Sequence, residues 1–371
     1  MNPFKYGQIV KGEDFCRREN LEKQLISAIR RAQNLYIQGE RRTGKSSLIY
    51  ETVSRLKKHR LIYIDLLEVK TTSDLLKRMI NALWTFEQGF GGLGQVFKKL
   101  MHLRPVISVD PVSALPTLTL DASVPLKPDS LPGILDLITA NHLKTKPLVV
   151  VFDEFQDILN LAEASESLAI LRGKIQFLTG IPFIFAGSVR NKMDQIFTDP
   201  DSAFFKSALP IQVGALDRGT FQSFITDKFE NGQRFMPPVA LDEIFDISCH
   251  IPGDIQQMCS ALWEVTSRKD TIERAHVSTA LERIFAHESK GYETILKVVS
   301  GQQLQLMSGL ARFGGAAPTS SAFLQQSGIR QASSVRTALN RLIDLKIVFF
   351  YDDEYRFVNP FFRAWLLAKG I

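Results

Sequence analysis

Gly39-Glu40-Arg41-Arg42-Thr43-Gly44-Lys45-Ser46 fits the pattern G-x-x-x-x-G-K-[ST] at every position. A short apolar run, Leu35-Tyr36-Ile37, precedes it. The segment that follows, Ser47 to Lys58, places Leu48, Ile49, Val53 and Leu56 on one helical face. Strand, glycine-bearing loop and helix in that order are the context a phosphate-binding loop requires, and they argue against an ordinary turn. Glycines let backbone N–H groups turn inward onto phosphate oxygens, and the helix N-terminus adds partial positive charge. The pattern assigns Lys45 to the β- and γ-phosphates and the Ser46 hydroxyl to Mg2+. Gly39, Arg42, Thr43, Gly44, Lys45, Ser46 and Ser47 are the candidate nucleotide contacts.

Such a loop needs an acidic partner at the tip of a second buried strand. Leu148-Val149-Val150-Val151-Phe152 is a continuous apolar run, as expected of a buried parallel strand, and it ends in Asp153-Glu154. Asp153 is expected to hold Mg2+ through water, and Glu154 to position and polarise the attacking water. Taken alone, the pair also reads as two solvated acids at a strand end. The strand Phe183 to Gly187 ends in Ser188, which reads either as a contact to the γ-phosphate or its water, or as a turn residue. Lys45, Glu154 and Ser188 are the candidate catalytic groups. Arg190 reads as an arginine finger or, more simply, a surface arginine. Asp65, at the end of the strand Leu61 to Ile64, reads as structural.

Strands alternating with helices at this spacing predict an α/β domain with a parallel sheet over 1–213. Within it, Val106 to Val109 and Thr117 to Leu120 flank a turn-like Asp110-Pro111-Val112-Ser113, predicting a β-hairpin insertion near 104–121. After about Val213 the strands stop. Residues 214–290 are helical in pattern, with a break at Ile251-Pro252-Gly253. The last section, 291–371, predicts helices around Ile295 to Arg312, Thr319 to Gln326 and Ala332 to Leu345. A hairpin follows, Ile347 to Tyr351 and Tyr355 to Val358, turning at Asp352-Asp353-Glu354. That order is a winged helix-turn-helix.

The chain has 371 residues, 45% of them apolar, enough for sizeable cores. No apolar run approaches the ~18 residues that span a membrane, and residues 1–13 lack a signal-peptide core. Cys16, Cys249 and Cys259 are too few and scattered for a disulfide or cysteine-zinc framework. The expectation is a soluble, cytoplasmic protein. Net charge is +6 but uneven: residues 1–60 carry 14 Lys and Arg against 6 Asp and Glu, and residues 291–371 carry 9 against 5. Arg41, Arg42 and Lys45 of the first excess lie in the phosphate loop.

Several motifs together resemble the archaeal-type ATPases, prokaryotic members of the STAND branch of P-loop NTPases and close to the AAA+ proteins. They are Asn2-Pro3-Phe4, Val10, Phe15-Cys16-Arg17-Arg18-Glu19, the phosphate loop, the hairpin, Asp153-Glu154, Gly187-Ser188 and Asn359-Pro360-Phe361-Phe362-Arg363-Ala364-Trp365-Leu366. The resemblance implies ATP bound between the α/β core and a helical lid, 214–290. It also makes Val10, Phe15 and Arg18 candidates to line the adenine pocket. Arg17 and Arg18 then lie at the adenine entry, so with Arg41, Arg42 and Lys45 the basic excess of residues 1–60 is better explained by an ATP polyanion than by DNA. Arg17 stands where the family pattern has Gly. His250-Ile251-Pro252-Gly253-Asp254 resembles a lid motif but lacks the arginine of related ATPases, and a helix–helix turn explains Pro252-Gly253 as well. His250 itself reads as structural.

The winged helix has two readings. Arg330, Arg336 and Arg341 suit phosphate and guanine contacts, whereas three acids at the wing tip oppose them. Winged helices also dock proteins, so DNA and a protein partner both stay open. Phe349, Phe350, Phe357, Phe361 and Phe362 are expected to form its small core. The leading function is Mg2+-dependent ATP hydrolysis to ADP driving a conformational switch. The alternative is a slow or non-hydrolysing, ATP-dependent DNA-binding regulator or docking scaffold.

Overall fold

The protein is described here from a computed structural model covering residues 1–88, 105–109, 116–120, 128–140, 147–188, 190–351 and 353–371. Of these, residues 88, 105–109, 116–120, 190 and 191 are described by their backbone alone. The chain forms two compact units. The first is Ile9–Leu216; the second joins Met1–Gln8 to Asp217–Ile371. The first eight residues, placed in the α/β domain by the sequence reading, thus pack with the helical unit. Asn2 Nδ2 donates to Ser260 Oγ at 2.9 Å, and Phe4 is buried with its ring 4.7 Å from that of Phe229.

The first unit is built on a five-stranded parallel sheet of order β2-β5-β6-β1-β7. The strands are β1 (Leu35–Gln38), β2 (Arg60–Asp65), β5 (Leu148–Asp153), β6 (Phe183–Gly187) and β7 (Leu209–Gln212). Side chains alternate between its faces, as the period of two requires. Val150, Phe152, Phe183, Phe185 and Tyr36 enter one core, with the helices α3 (Thr72–Gln88), α4 (Leu131–Thr139), α5 (Ala164–Ile175) and α6 (Arg190–Phe197). Val149, Val151, Ile184, Ala186 and Ile37 enter the other, with α1 (Glu19–Arg30) and α2 (Lys45–Arg55). Fully buried Phe152, Phe155, Phe183, Phe185, Phe197 and Phe204 cluster ring against ring in the first core. Each contributes about 2–3 kcal/mol of burial.

β7 is a strand the sequence reading did not resolve. Pro210 removes a ladder donor, which an edge strand tolerates, and of its four residues Ile211 alone is buried. The insertion hairpin is present as β3 (Pro105–Val109) and β4 (Pro116–Leu120), antiparallel in register Pro105↔Leu120. Its turn lies outside the described residues.

The second unit carries α7 (Arg218–Asn231), α8 (Pro238–Ile247), α9 (Pro252–Val265) and the 25-residue α10 (Arg274–Val298). Next come α11 (Gly301–Phe313), α12 (Ser321–Ser327) and α13 (Ala332–Asp344). The hairpin β8 (Val348–Tyr351) and β9 (Glu354–Phe357), and α14 (Pro360–Ala368), complete the unit. The helix expected at Ile295 to Arg312 is two helices. Ser300 caps the second, accepting from the Gln303 N–H while Gln303 reciprocates, a capping box that ends the continuity of Val298-Val299. Phe357, Phe361 and Phe362 are core residues as expected, but Phe350 is 53% exposed. Phe349 is only half-buried, and of the four β8 residues Val348 alone is buried, so neither phenylalanine is a core residue. The Tyr292 ring packs 5.1 Å from Phe362, and Asn359 donates to Glu288 at 2.8 Å, joining α14 to α10. No helix among the described residues is long and apolar enough to cross a membrane.

Candidate nucleotide-binding site

The loop Gly39–Ser46, Asp153-Glu154 and Ser188 all follow C-terminal ends of parallel strands, the sheet edge where open α/β sheets bind ligands. Gly39 is there for close approach: a Cβ would lie 2.2 Å from the Val213 carbonyl oxygen. Gly44 is there for its backbone, with φ +89° at the N-cap of α2. Arg42 is exposed at φ +63°, whereas Thr43 is buried and its hydroxyl donates to the Glu40 carbonyl at 2.8 Å. Lys45 is 5% exposed, and its Nζ donates to the carbonyls of Gly39 and Glu40, both at 2.9 Å. Burial pushes the Lys45 ammonium below its usual range, against the pull of Glu154 and Asp153.

Asp153 is gripped on both oxygens. Oδ2 accepts from the Ser46 hydroxyl at 2.7 Å and from the Tyr63 hydroxyl; Oδ1 accepts from the Glu154 N–H at 3.0 Å. Glu154 turns the chain sharply at the strand tip with φ +49°, an uncommon backbone for a side-chain-bearing residue. Its Oε2 accepts from the Ser188 hydroxyl at 2.7 Å and from Gln156 Nε2 at 2.5 Å. Ser188 is thus placed on Glu154. Gln156 is 1% exposed, and its Oε1 has no partner among the described residues. Gly187 makes room for it, since a Cβ there would come 2.5 Å from that oxygen.

Tyr63 and Gln156 were not found from sequence. Tyr63 sits in a run that reads as core, but its strand is in register with β5, Tyr63↔Val151 and Asp65↔Asp153. Gln156 had no signal, since in Phe155-Gln156-Asp157-Ile158 nothing distinguishes it from the neighbouring Asp157. The donors around Ser46 and Asp153 are hard oxygens, which fits Mg2+. Among the described residues no group of three or more His, Cys, Asp or Glu could hold a metal. Mg2+ is bound by one or two protein oxygens plus a substrate's phosphates, so the pair suffices.

The residues expected at the adenine pocket lie beside α1 and α2. The Val10 N–H donates to Ser47 Oγ at 3.1 Å, and Phe15 is buried in the core with Leu25 and Leu48. Ser47 therefore holds the N-terminal segment. Arg18 donates through one terminal nitrogen to the Thr43 carbonyl at 2.8 Å. Through the other it donates to the carbonyls of Gly214 and Ala215, at 2.9 and 3.1 Å. Burial pushes its guanidinium down to about 10, so it is charged at neutral pH. Arg17 pairs with the buried Glu22 at 2.9 Å, and Arg55 joins Glu22 and Glu51. Arg17 is not among the residues with positive φ, so no glycine is required there.

Asp65 is exposed and caps the following turn through Leu67 N–H. The side chain of Arg190 lies outside the described residues. In the second unit, Pro252 occupies the first position of α9, and His250 lies 3.8 Å from Asp246. Arg330, Arg336 and Arg341 are all exposed on and beside α13, and at the wing Glu354 pairs with Arg356.

A family described as a probable winged helix domain matches residues 290–368. No curated protein matches the sequence. Among solved structures, the Walker-type ATPase PABY2304 of Pyrococcus abyssi is similar at TM-score 0.68 and 16% identity, over 98% of this chain and 99% of that one. The ORC1 protein of Aeropyrum pernix, solved in complex with DNA, is similar at TM-score 0.53 and 12% identity, over 97% and 96%. At such identities the likeness is one of fold: an α/β core of the P-loop ATPase kind followed by a C-terminal winged helix. The archaeal ATPase resemblance drawn from the motifs agrees with it.

Proposed function

We propose that the protein is an ATPase that binds ATP with Mg2+ at Gly39–Ser47 and acts as a nucleotide-dependent conformational switch. The observation that carries this reading is the Ser46–Asp153 hydrogen bond of 2.7 Å, which joins the phosphate loop to the acidic strand tip. Ser46 and Asp153 would hold Mg2+, which when bound neutralises charge on the β- and γ-phosphates. The loop N–H groups and Lys45 bind and orient those phosphates. Glu154 accepts the proton of the attacking water. Its Oε2 is occupied by Ser188 and Gln156, which leaves Oε1 for that water. Ser188 and Gln156 thus orient the base. Lys45→Ala should abolish binding of a fluorescent ATP analogue; unchanged affinity would remove the site.

A second reading concerns α13. Its arginines Arg336 and Arg341, and Arg330 before it, are exposed, and the wing acid Glu354 is engaged by Arg356. Together with the exposed arginines this supports contact with duplex DNA, although Asp353 stays exposed at the wing. The triple replacement of these arginines by Ala should abolish a salt-dependent duplex shift. A shift that survives it, or none in the parent at low salt, returns the domain to protein partners.

A further inference from the structure

The chain passes between its two units at Gln8–Ile9 and at Leu216–Asp217. Both crossings are hydrogen-bonded to the phosphate-loop region. Near the first, the Val10 N–H is held by Ser47. Near the second, Arg18 grips Gly214 and Ala215 with one arm and Thr43 with the other. Val213 at the end of β7 also lies directly against Gly39.

Arg18 is itself held firmly. Its backbone N–H donates to Glu22 at 2.9 Å, and Glu22 is 2% exposed and clamped by Arg17 and Arg55. The guanidinium is a planar fork with donors facing two directions, which no other cation offers. The peptide plane sets the rest of the geometry. In a trans peptide the Thr43 carbonyl and the Gly44 N–H point opposite ways, so holding the carbonyl on Arg18 aims that N–H away from it. An anion that draws on the Gly44 N–H therefore acts on the Thr43–Arg18 bond. That bond shares its guanidinium with Gly214 and Ala215.

We propose that Arg18 is a positioning residue that couples occupancy of the phosphate loop to the Gly214–Leu216 segment, through which the chain leaves the first unit. This rests on nucleotide binding at the loop, as proposed above. It gives Arg18 a task other than lining an adenine pocket.

Hydrogen–deuterium exchange on the full chain tests it, with ATP and Mg2+ held above each protein's own dissociation constant. In the parent, ATP should slow exchange across both 39–47 and 209–217. In Arg18→Met the loop should still slow, while the response of 209–217 falls about fivefold or more. Arg18→Lys keeps the charge but lacks the fork, so it should lose the response equally; it carries the test if the Met variant does not fold. A full response in either variant would overturn the coupling. So would a parent whose loop slows while 209–217 does not change. If the loop itself does not slow in the parent, the nucleotide reading fails and the coupling falls with it.

Discussion

Ser46 and Asp153 are 107 residues apart in sequence, yet the serine hydroxyl donates to Asp153 Oδ2 at 2.7 Å. Parallel strands bring this about: β1 and β5 both flank β6, so the loop after one and the acid ending the other emerge at the same edge. Asp153→Ala removes the shared acceptor of Ser46 and Tyr63. The gain in ATP affinity on adding Mg2+ should fall about tenfold or more, the scale of a lost charge-assisted hydrogen bond. Titrating a fluorescent ATP analogue at several Mg2+ concentrations measures it.

Lys45 gives the site a pH dependence. Burial lowers its pKa, and in the proposed function it is the protonated form that binds phosphate. The Lys45 contribution to ATP affinity should therefore be largest at the neutral end of the neutral-to-alkaline range. It should decline as pH rises, beginning below the ~10.4 of an ordinary lysine. Binding measured between neutral and alkaline pH checks this, and Lys45→Arg, whose guanidinium stays charged across that range, should show no such decline.

Gly39 and Gly44 should fail differently. Gly39→Ala puts a methyl 2.2 Å from the Val213 oxygen, and backbone must move to admit it. We expect a loss of about 2–4 kcal/mol and of nucleotide binding. Gly44→Ala meets no atom within 4 Å but must hold φ +89°, costing about 1–2 kcal/mol. Denaturant unfolding of the two variants distinguishes contact from backbone strain.

Glu51 ties the N-terminal segment to α2, accepting the Gly12 N–H at 2.9 Å and Arg55 at 2.8 Å. Burial raises its pKa, but these two partners outweigh burial and hold it below the usual carboxylate range. The sign follows from that. A carboxylate depressed in the folded state contributes stability above its unfolded pKa of ~4.3 and loses it as pH falls through the folded value. Glu51→Gln should cost about 2 kcal/mol at neutral pH. Its stability should also change less than the parent's on acidification, as unfolding at several pH values would record.

Much of the core site was legible because its chemistry dictates residue types at fixed spacing. The loop, the run Leu148–Phe152 and the strand Phe183–Gly187 each announce their element and its end. What escaped depends on side-chain direction or on strand register. Tyr63 reads as one more apolar strand residue until β2 is paired with β5. Arg18 is legible as an adenine-pocket candidate through the family resemblance, but not as a residue whose two arms reach residues 25 and 196 or more positions away. Pro210 hid the edge strand β7, and Val298-Val299 hid the break before Ser300. Ser300 and Gln303 were themselves the cap signal that marks it. Phe349 and Phe350 fall outside the core because β8 buries Val348 alone, which a count of aromatics does not show.

The proposed hydrolysis turns on Glu154 activating water on ATP bound at the phosphate loop. Glu154→Gln keeps the size of the side chain and removes its basicity, and its amide can still accept from Ser188. Steady-state phosphate release should fall about 100-fold or more, while ATP is bound at least as tightly as by the parent. Phosphate release at the parental rate would contradict the account.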